Sequence, residues 1–178
     1  MGEPVSGTSR VRAISRDPDD RLHAYQSAPL GCRWKRGEKN QAVGRSRGGR
    51  NTKIHALADA KGRLIAILLT GGEAHDCPVA ERLFHRVRSP QRLLGDKAYD
   101  STELRDELGE RGINPVIPNR SNRKQLFSFD KRLYKVRWRV ENAFNRLKDF
   151  RRIATRYDKL ARNYLASVCL AAALVWWL

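Results

Sequence analysis

The amino-acid sequence predicts an α/β fold, a mixed β-sheet flanked by helices and incomplete at its first strand. Three observations carry the prediction. Two β-suited runs, 51–59 (NTKIHALAD) and 63–70 (RLIAILLT), are joined through Ala60, Lys61 and Gly62, a connection short enough for an antiparallel hairpin. RLLGD, a helical pattern and INPVIP then follow one another as strand, helix and strand, the order of a right-handed crossover between parallel strands. Beyond residue 130 the apolar residues recur at helical spacing to the end of the chain.

Taken in order, residues 1–50 are rich in Arg, Gly, Ser and Pro and follow neither a period of 2 nor one of 3.6. They read as a basic, largely irregular segment, which leaves 51–178 as the organised domain. The near-continuous apolar run of the second hairpin strand implies cover on both faces. Asp76 can cap a helix with Pro78 in its first turn, and Val79, Ala80, Leu83, Phe84 and Val87 form its apolar face. RLLGD is a short buried strand ending at Asp96. Asp100 and Glu103 resemble a capping box for a helix that Gly112 ends. The prolines of INPVIP put that strand toward a sheet edge. NRSNRKQLFSFDKR is a basic linker that stays mobile until DNA or the fold orders it. One long helix is expected over about 130–152 and an apolar one from about 159 onward.

The 178 residues suit one core-bearing domain. With 36 Lys and Arg against 19 Asp and Glu, the formal charge of +17 points to a polyanionic partner, most commonly nucleic acid. Three dispersed cysteines, with no Cys-x-x-Cys pair, read as free thiols of a reducing compartment, here the cytoplasm. The last uncharged run, 163–178, falls short of the roughly 20 residues that span a bilayer and reads as a buried helix.

On a helical wheel, Leu133, Val136, Val140, Ala143, Phe144, Leu147 and Phe150 share one apolar arc. Beside it runs a narrower stripe of Tyr134, Arg137, Glu141, Lys148 and Arg152. Glu141 is thus a lone acid at the border of core and solvent, a position that suits a metal ligand and equally suits a salt-bridge ladder with Arg137. Asp96 ends a buried strand, where the ligand sites of α/β sheets collect. Its alternative role is to cap the turn in DKAYDS.

Tyr134-x2-Arg137-x3-Glu141-x6-Lys148, together with LLGDKAYDS, GRSRGGRNTKIHALAD and RRIATRYDKLARNYLA, resembles the DDE transposases of bacterial insertion sequences, in particular the insertion-sequence-five family. The resemblance implies a ribonuclease-H-like core over 51–178. In it Asp96 and Glu141 are the second and third catalytic carboxylates and hold Mg²⁺ or Mn²⁺, two ions in a complete site. It implies cleavage and strand transfer on double-stranded DNA, at element ends and target, by a homo-oligomer in the bacterial cytoplasm, associated with the nucleoid and not with membrane. Arg137 and Lys148 would steady a phosphate, and Tyr134 would hydrogen-bond to one. Arg139, Arg146, Arg151 and Arg152, with Arg45, Arg47 and Arg50, would follow the backbone.

One departure stands out. The family's first aspartate should end an apolar strand, yet VRAISRDPDD offers only Asp17, Asp19 and Asp20, beside Pro18 and with no buried run to hold them. The chain accordingly looks like the C-terminal part of a transposase with a degenerate beginning. The competing expectation is an inactive DNA-binding remnant that regulates an intact transposase. An RNA-binding basic protein would account for the charge but not for the Tyr-Arg-Glu-Lys spacing.

Overall fold

A computed structural model describes residues 22–31, 41–46 and 49–178. Asp17, Asp19, Asp20 and Arg47 lie outside the described residues. The strands are β1 (Leu22–Gly31), β2 (Gly44–Ser46), β3 (Gly49–Ala58), β4 (Leu64–Gly71), β5 (Arg92–Leu94) and β6 (Asn114–Val116). The helices are α1 (Asp76–Phe84), α2 (Thr102–Glu110), α3 (Lys131–Tyr134), α4 (Trp138–Asp149), α5 (Arg151–Ala154) and α6 (Ala161–Trp176).

The strands form one mixed sheet in the order β2-β3-β1-β5-β6, with β4 also pairing β3. The expected hairpin is β3–β4, antiparallel from Thr52↔Gly71 to Ala58↔Leu64. Its turn forms because Asp59 Oδ1 accepts from the N–H groups of Lys61 (3.0 Å) and Arg63 (2.9 Å). Gly62 supplies the left-handed step at φ 82°. The expected crossover is also present, as β5 and β6 are parallel and joined through α2.

Side chains alternate across the sheet and build one apolar layer on each face. On one face Ala24, Ala28, Ile54, Ala56 and Leu94 pack against α4 and α6 through Val140, Ala143, Phe144, Leu147, Tyr164 and Val168. On the other, Tyr25, Leu57 and Leu93 meet α1 and α2 through Val79, Leu83, Phe84, Leu104 and Leu108. Fully burying a Val, Leu or Phe contributes about 1.5–3 kcal/mol, so the α4 seam alone anchors that helix firmly.

The first strand corrects the sequence reading. Residues 22–31, expected to be irregular, form β1 and stand between β3 and β5 in the sheet. β1 runs antiparallel to β3 from Ala24↔Ala58 to Gly31↔Asn51, and parallel to β5 from Leu22↔Arg92 to Ala24↔Leu94. Its period is weak in hydropathy because Ala24 and Ala28 are small where α4 crosses, and on the opposite face the apolar Tyr25 is preceded by the polar His23. β2 likewise falls in the segment expected to be irregular.

The long helix is not continuous. Asp130 caps α3 through Oδ1, which accepts from Arg132 N (2.8 Å) and Leu133 N (3.0 Å). A tighter turn over Lys135–Arg137 leads into α4, which stops before Phe150, in extended backbone at ψ 100°. Phe150 therefore leaves the apolar arc and is 37% exposed. α6 buries one face only, through Tyr164, Val168, Ala171 and Ala172, while Leu170 and Leu174 are exposed. No helix among the described residues is long and apolar enough to cross a membrane.

Candidate active site

Asp96 follows β5 by two residues. Leu93 points into the α1–α2 layer and Leu94 into the α4 layer. A Cβ on Gly95 would meet Tyr99 and Ile117 of the α1–α2 layer at 3.3–3.4 Å, so the alternation persists past the strand. Asp96, still extended at φ −80° and ψ 177°, is thereby directed to the α4 side. It is half-buried, and its Oδ1 accepts from Ala98 N at 2.7 Å, capping the short turn Lys97–Tyr99. The capping role and the site role are compatible, since one N–H leaves most of a carboxylate's acceptor capacity.

Glu141 sits in the first turn of α4, which packs across β1. Arg137 joins the two elements. Its Nη2 pairs with Glu141 Oε1, and its Nη1 donates to Gln26 Oε1 of β1 at 3.4 Å. The β1–β5 pairing ends at Ala24↔Leu94, and Gln26 and Asp96 each follow that last pair by two residues. Gln26 also lies on the face of Ala24 and Ala28, toward α4. Strand alternation thus assigns Asp96 and Gln26 to the face of the sheet on which α4, with Glu141, packs. The Arg137–Glu141 ladder foreseen as the plain alternative is present too, at one turn's spacing.

The donor set can be tested against a metal. No group of three or more His, Cys, Asp or Glu side chains among the described residues is arranged to hold one. Two carboxylates and an amide oxygen are hard donors, and Mg²⁺ takes one or two carboxylates while filling its other positions with water and phosphate. Asp96 and Glu141 are donors of that kind. β1 holds no carboxylate of its own.

The transposase DDE domain family model matches residues 19–176, nearly all of the described chain. The chain belongs to this family. It is 37% identical to a putative transposase for insertion sequence element IS6501 of Brucella ovis, over 70% of this chain and 97% of the relative. It is 31% identical to a putative transposase for insertion sequence element IS402 of Burkholderia cepacia, over 99% of this chain and 86% of the relative. Among solved structures, the catalytic core domain of BIV integrase superposes with TM-score 0.51 at 14% identity, covering 86% of this chain and 82% of that one. That likeness supports the ribonuclease-H-like fold.

Arg137 apart, the basic residues expected on DNA are spread over β2, β3, α4 and α5 of this transposase domain. Arg45 and Arg50 are exposed and directly opposite one another on the β2–β3 pair. Arg50 precedes Asn51, which pairs with the last residue of β1, Gly31, about 17 Å from Gln26 at the rise of a strand, and Arg45 lies on β2, across β3 from β1. Arg139 is tied to Ala60 O. Arg146, Lys148 and Arg151 are exposed, and Arg152 pairs with Asp158 at 3.2 Å. Tyr134 is half-buried against Phe129, in the apolar layer beside Arg137.

Several residues that shape the site escaped the sequence reading. Ser101, not Asp100, caps α2, with its Oγ accepting from Leu104 N at 3.3 Å. Asp100 is instead buried and accepts from Arg105 Nε (2.9 Å), Arg120 N (2.7 Å) and Arg123 Nε (2.7 Å). Burial alone would raise this carboxyl, but those donors outweigh it and hold it below the usual carboxylate range. The linker expected to be mobile is thus pinned to α2. Asp76 is the first residue of α1 rather than its cap, and Lys53 Nζ donates to it at 3.3 Å.

On the α1 face, His55 Nε2 lies 2.7 Å from Thr70 Oγ1, whose own proton goes to Gly71 O at 3.1 Å. Thr70 must therefore accept from Nε2–H, which leaves Nδ1 to accept from Tyr25 Oη at 2.7 Å. Burial lowers the His55 pKa to about 4 and keeps the ring neutral. Arg156, fully buried, donates to Thr52 Oγ1 (2.6 Å) and to the carbonyls of Asp158 (2.9 Å), Lys159 (2.9 Å) and Ala42 (3.2 Å). It ties the segment before α6 to the sheet.

Proposed function

We propose that this transposase domain cleaves and joins DNA strands through Asp96 and Glu141, in moving an insertion sequence. What supports the reading is that Arg137 ties Glu141 of α4 to Gln26 of β1, the strand that pairs in parallel with β5, two residues before Asp96. A divalent ion held by Asp96 and Glu141 would activate the attacking oxygen and stabilise the leaving oxygen of an in-line phosphodiester displacement. Arg137 fixes the Glu141 carboxylate and supplies a positive charge beside a phosphate. Asp17, Asp19 and Asp20 are the candidates for the first carboxylate.

Double-stranded DNA at element ends and target is the proposed substrate, bound by a homo-oligomer in the bacterial cytoplasm on nucleoid DNA. Arg45, Arg47 and Arg50, with Arg139, Arg146, Lys148, Arg151 and Arg152, are the proposed phosphate contacts, and Tyr134 is a further one. Binding through them is expected to weaken steeply with salt.

The test is nicking and strand transfer of duplex DNA carrying the element ends, with Mg²⁺ or Mn²⁺ supplied. Asp96→Asn and Glu141→Gln should each lower the rate about 1,000-fold or more, the scale of losing several kcal/mol of charge stabilisation. Duplex binding should persist in both. Full activity surviving both substitutions removes the assignment.

A further inference from the structure

The turn that carries Asp96 is held from outside by a residue of the 118–129 loop. Ala98 N–H donates to Asp96 Oδ1 at 2.7 Å, so the orientation of the carboxylate depends on where this peptide group lies. The acceptor side of the turn is equally fixed. Arg120 Nη2 donates to Ala98 O at 2.6 Å and Arg120 Nε donates to Lys97 O at 3.1 Å. One guanidinium thereby clamps the two carbonyls that come after Asp96.

An arginine on an exposed loop rarely holds so defined a pose, because ordering a long side chain costs about 1.5–2 kcal/mol of rotamer entropy. Here the backbone of the loop is itself anchored. Arg120 N–H and Arg123 Nε both donate to the buried Asp100 Oδ2 at 2.7 Å. Asn119 closes the loop through Nδ2 to Phe127 O (2.9 Å) and Phe127 N to Oδ1 (3.1 Å). The Arg105 and Arg123 guanidiniums lie 4.6 and 4.9 Å from the Phe127 ring. The rigidity of the Asp100 centre thus reaches the Asp96 carboxylate through Arg120.

We infer that Arg120 is a positioning residue for the metal-binding carboxylate of Asp96, acting through the Lys97–Tyr99 turn. This rests on the reading that Asp96 holds a divalent ion. Groups that orient a ligand from behind typically set metal affinity by about 10–100-fold.

The experiment compares the whole chain with its Arg120→Ala, Arg120→Lys and Asp96→Asn variants. It measures Mn²⁺ affinity by titration, amide exchange over 97–100, and duplex-DNA binding as a function of salt. Arg120→Ala should weaken Mn²⁺ binding about 10–100-fold and speed exchange at Ala98 and Tyr99, with melting temperature and salt slope unchanged. Arg120→Lys, able to reach one carbonyl but not both in a fork, should recover part of the affinity.

Faster exchange with unaltered Mn²⁺ affinity makes Arg120 a structural clamp only and overturns the inference. A salt slope reduced by about 1 with Mn²⁺ affinity intact makes it a phosphate contact and also overturns it. If the unsubstituted chain and Asp96→Asn bind Mn²⁺ equally, the metal reading itself fails, and the role inferred for Arg120 falls with it whatever the exchange shows.

Discussion

Asp96 and Asp100, the two ends of DKAYD, lie one turn apart and have opposite environments. Asp100 is 2% exposed and its oxygens are occupied by Arg105, Arg120 and Arg123. Asp96 is half-buried and accepts from one backbone N–H, that of Ala98. A carboxylate whose acceptor sites are filled by fixed donors belongs to the structure, whereas one that accepts from a single backbone N–H among the described residues keeps acceptor capacity for another partner. Glu141 falls between the two, 43% exposed and paired, among the described residues, with Arg137.

Breaking the filled centre should have the largest effect on stability. Asp100→Ala leaves the buried Arg105 without its counter-ion and is expected to cost about 3–5 kcal/mol, measurable by denaturant unfolding. Asp96→Asn should cost under about 1 kcal/mol in the same assay. Equal losses at the two positions would erase the distinction.

Acid provides the next test. The His55 pKa is lowered to about 4 in the fold, against about 6.5 for an unperturbed imidazole, so the unfolded chain takes up the proton first. Its contribution is complete above pH ~6.5 and is lost as pH falls toward ~4, on the order of 3 kcal/mol. Asp100, also held low, adds a second loss as pH falls below the range where an unfolded carboxyl titrates. His55→Gln should flatten the upper part of the pH–stability curve and leave the lower part to Asp100.

The smallest effect is expected at Arg137. Its pair with the partly exposed Glu141 is of the kind worth about 0.3–0.5 kcal/mol, so Arg137→Ala should barely move the melting temperature while lowering cleavage. A loss of several kcal/mol would show that the pair serves the fold rather than the site.

The hairpin, the crossover, α1, α2 and the Tyr-Arg-Glu-Lys stripe were legible because each has a strong local signal: a turn glycine, a capping group or an apolar arc. β1 was not legible, since Ala24 and Ala28 are selected by the close passage of α4 and carry little hydropathy contrast. The stop before Phe150 has neither glycine nor proline to mark it. Asp100 was misread as half of a capping box because its partners, Arg120 and Arg123, come from a distant loop that composition alone marks as polar. At the site, Asp96 and Glu141 could be chosen from motif and position, whereas Gln26 and Arg120 emerge only from strand register and tertiary contact.

β1 joins the antiparallel part of the sheet, β2, β3 and β4, to the parallel part, β5 and β6, and among the described strands no other ladder links the two. The ten residues of Leu22–Gly31 therefore hold together two half-sheets whose own strands all lie within residues 44–116. Opening its two ladders would part the sheet into an antiparallel and a parallel half, so the continuity of the whole sheet rests on this one strand.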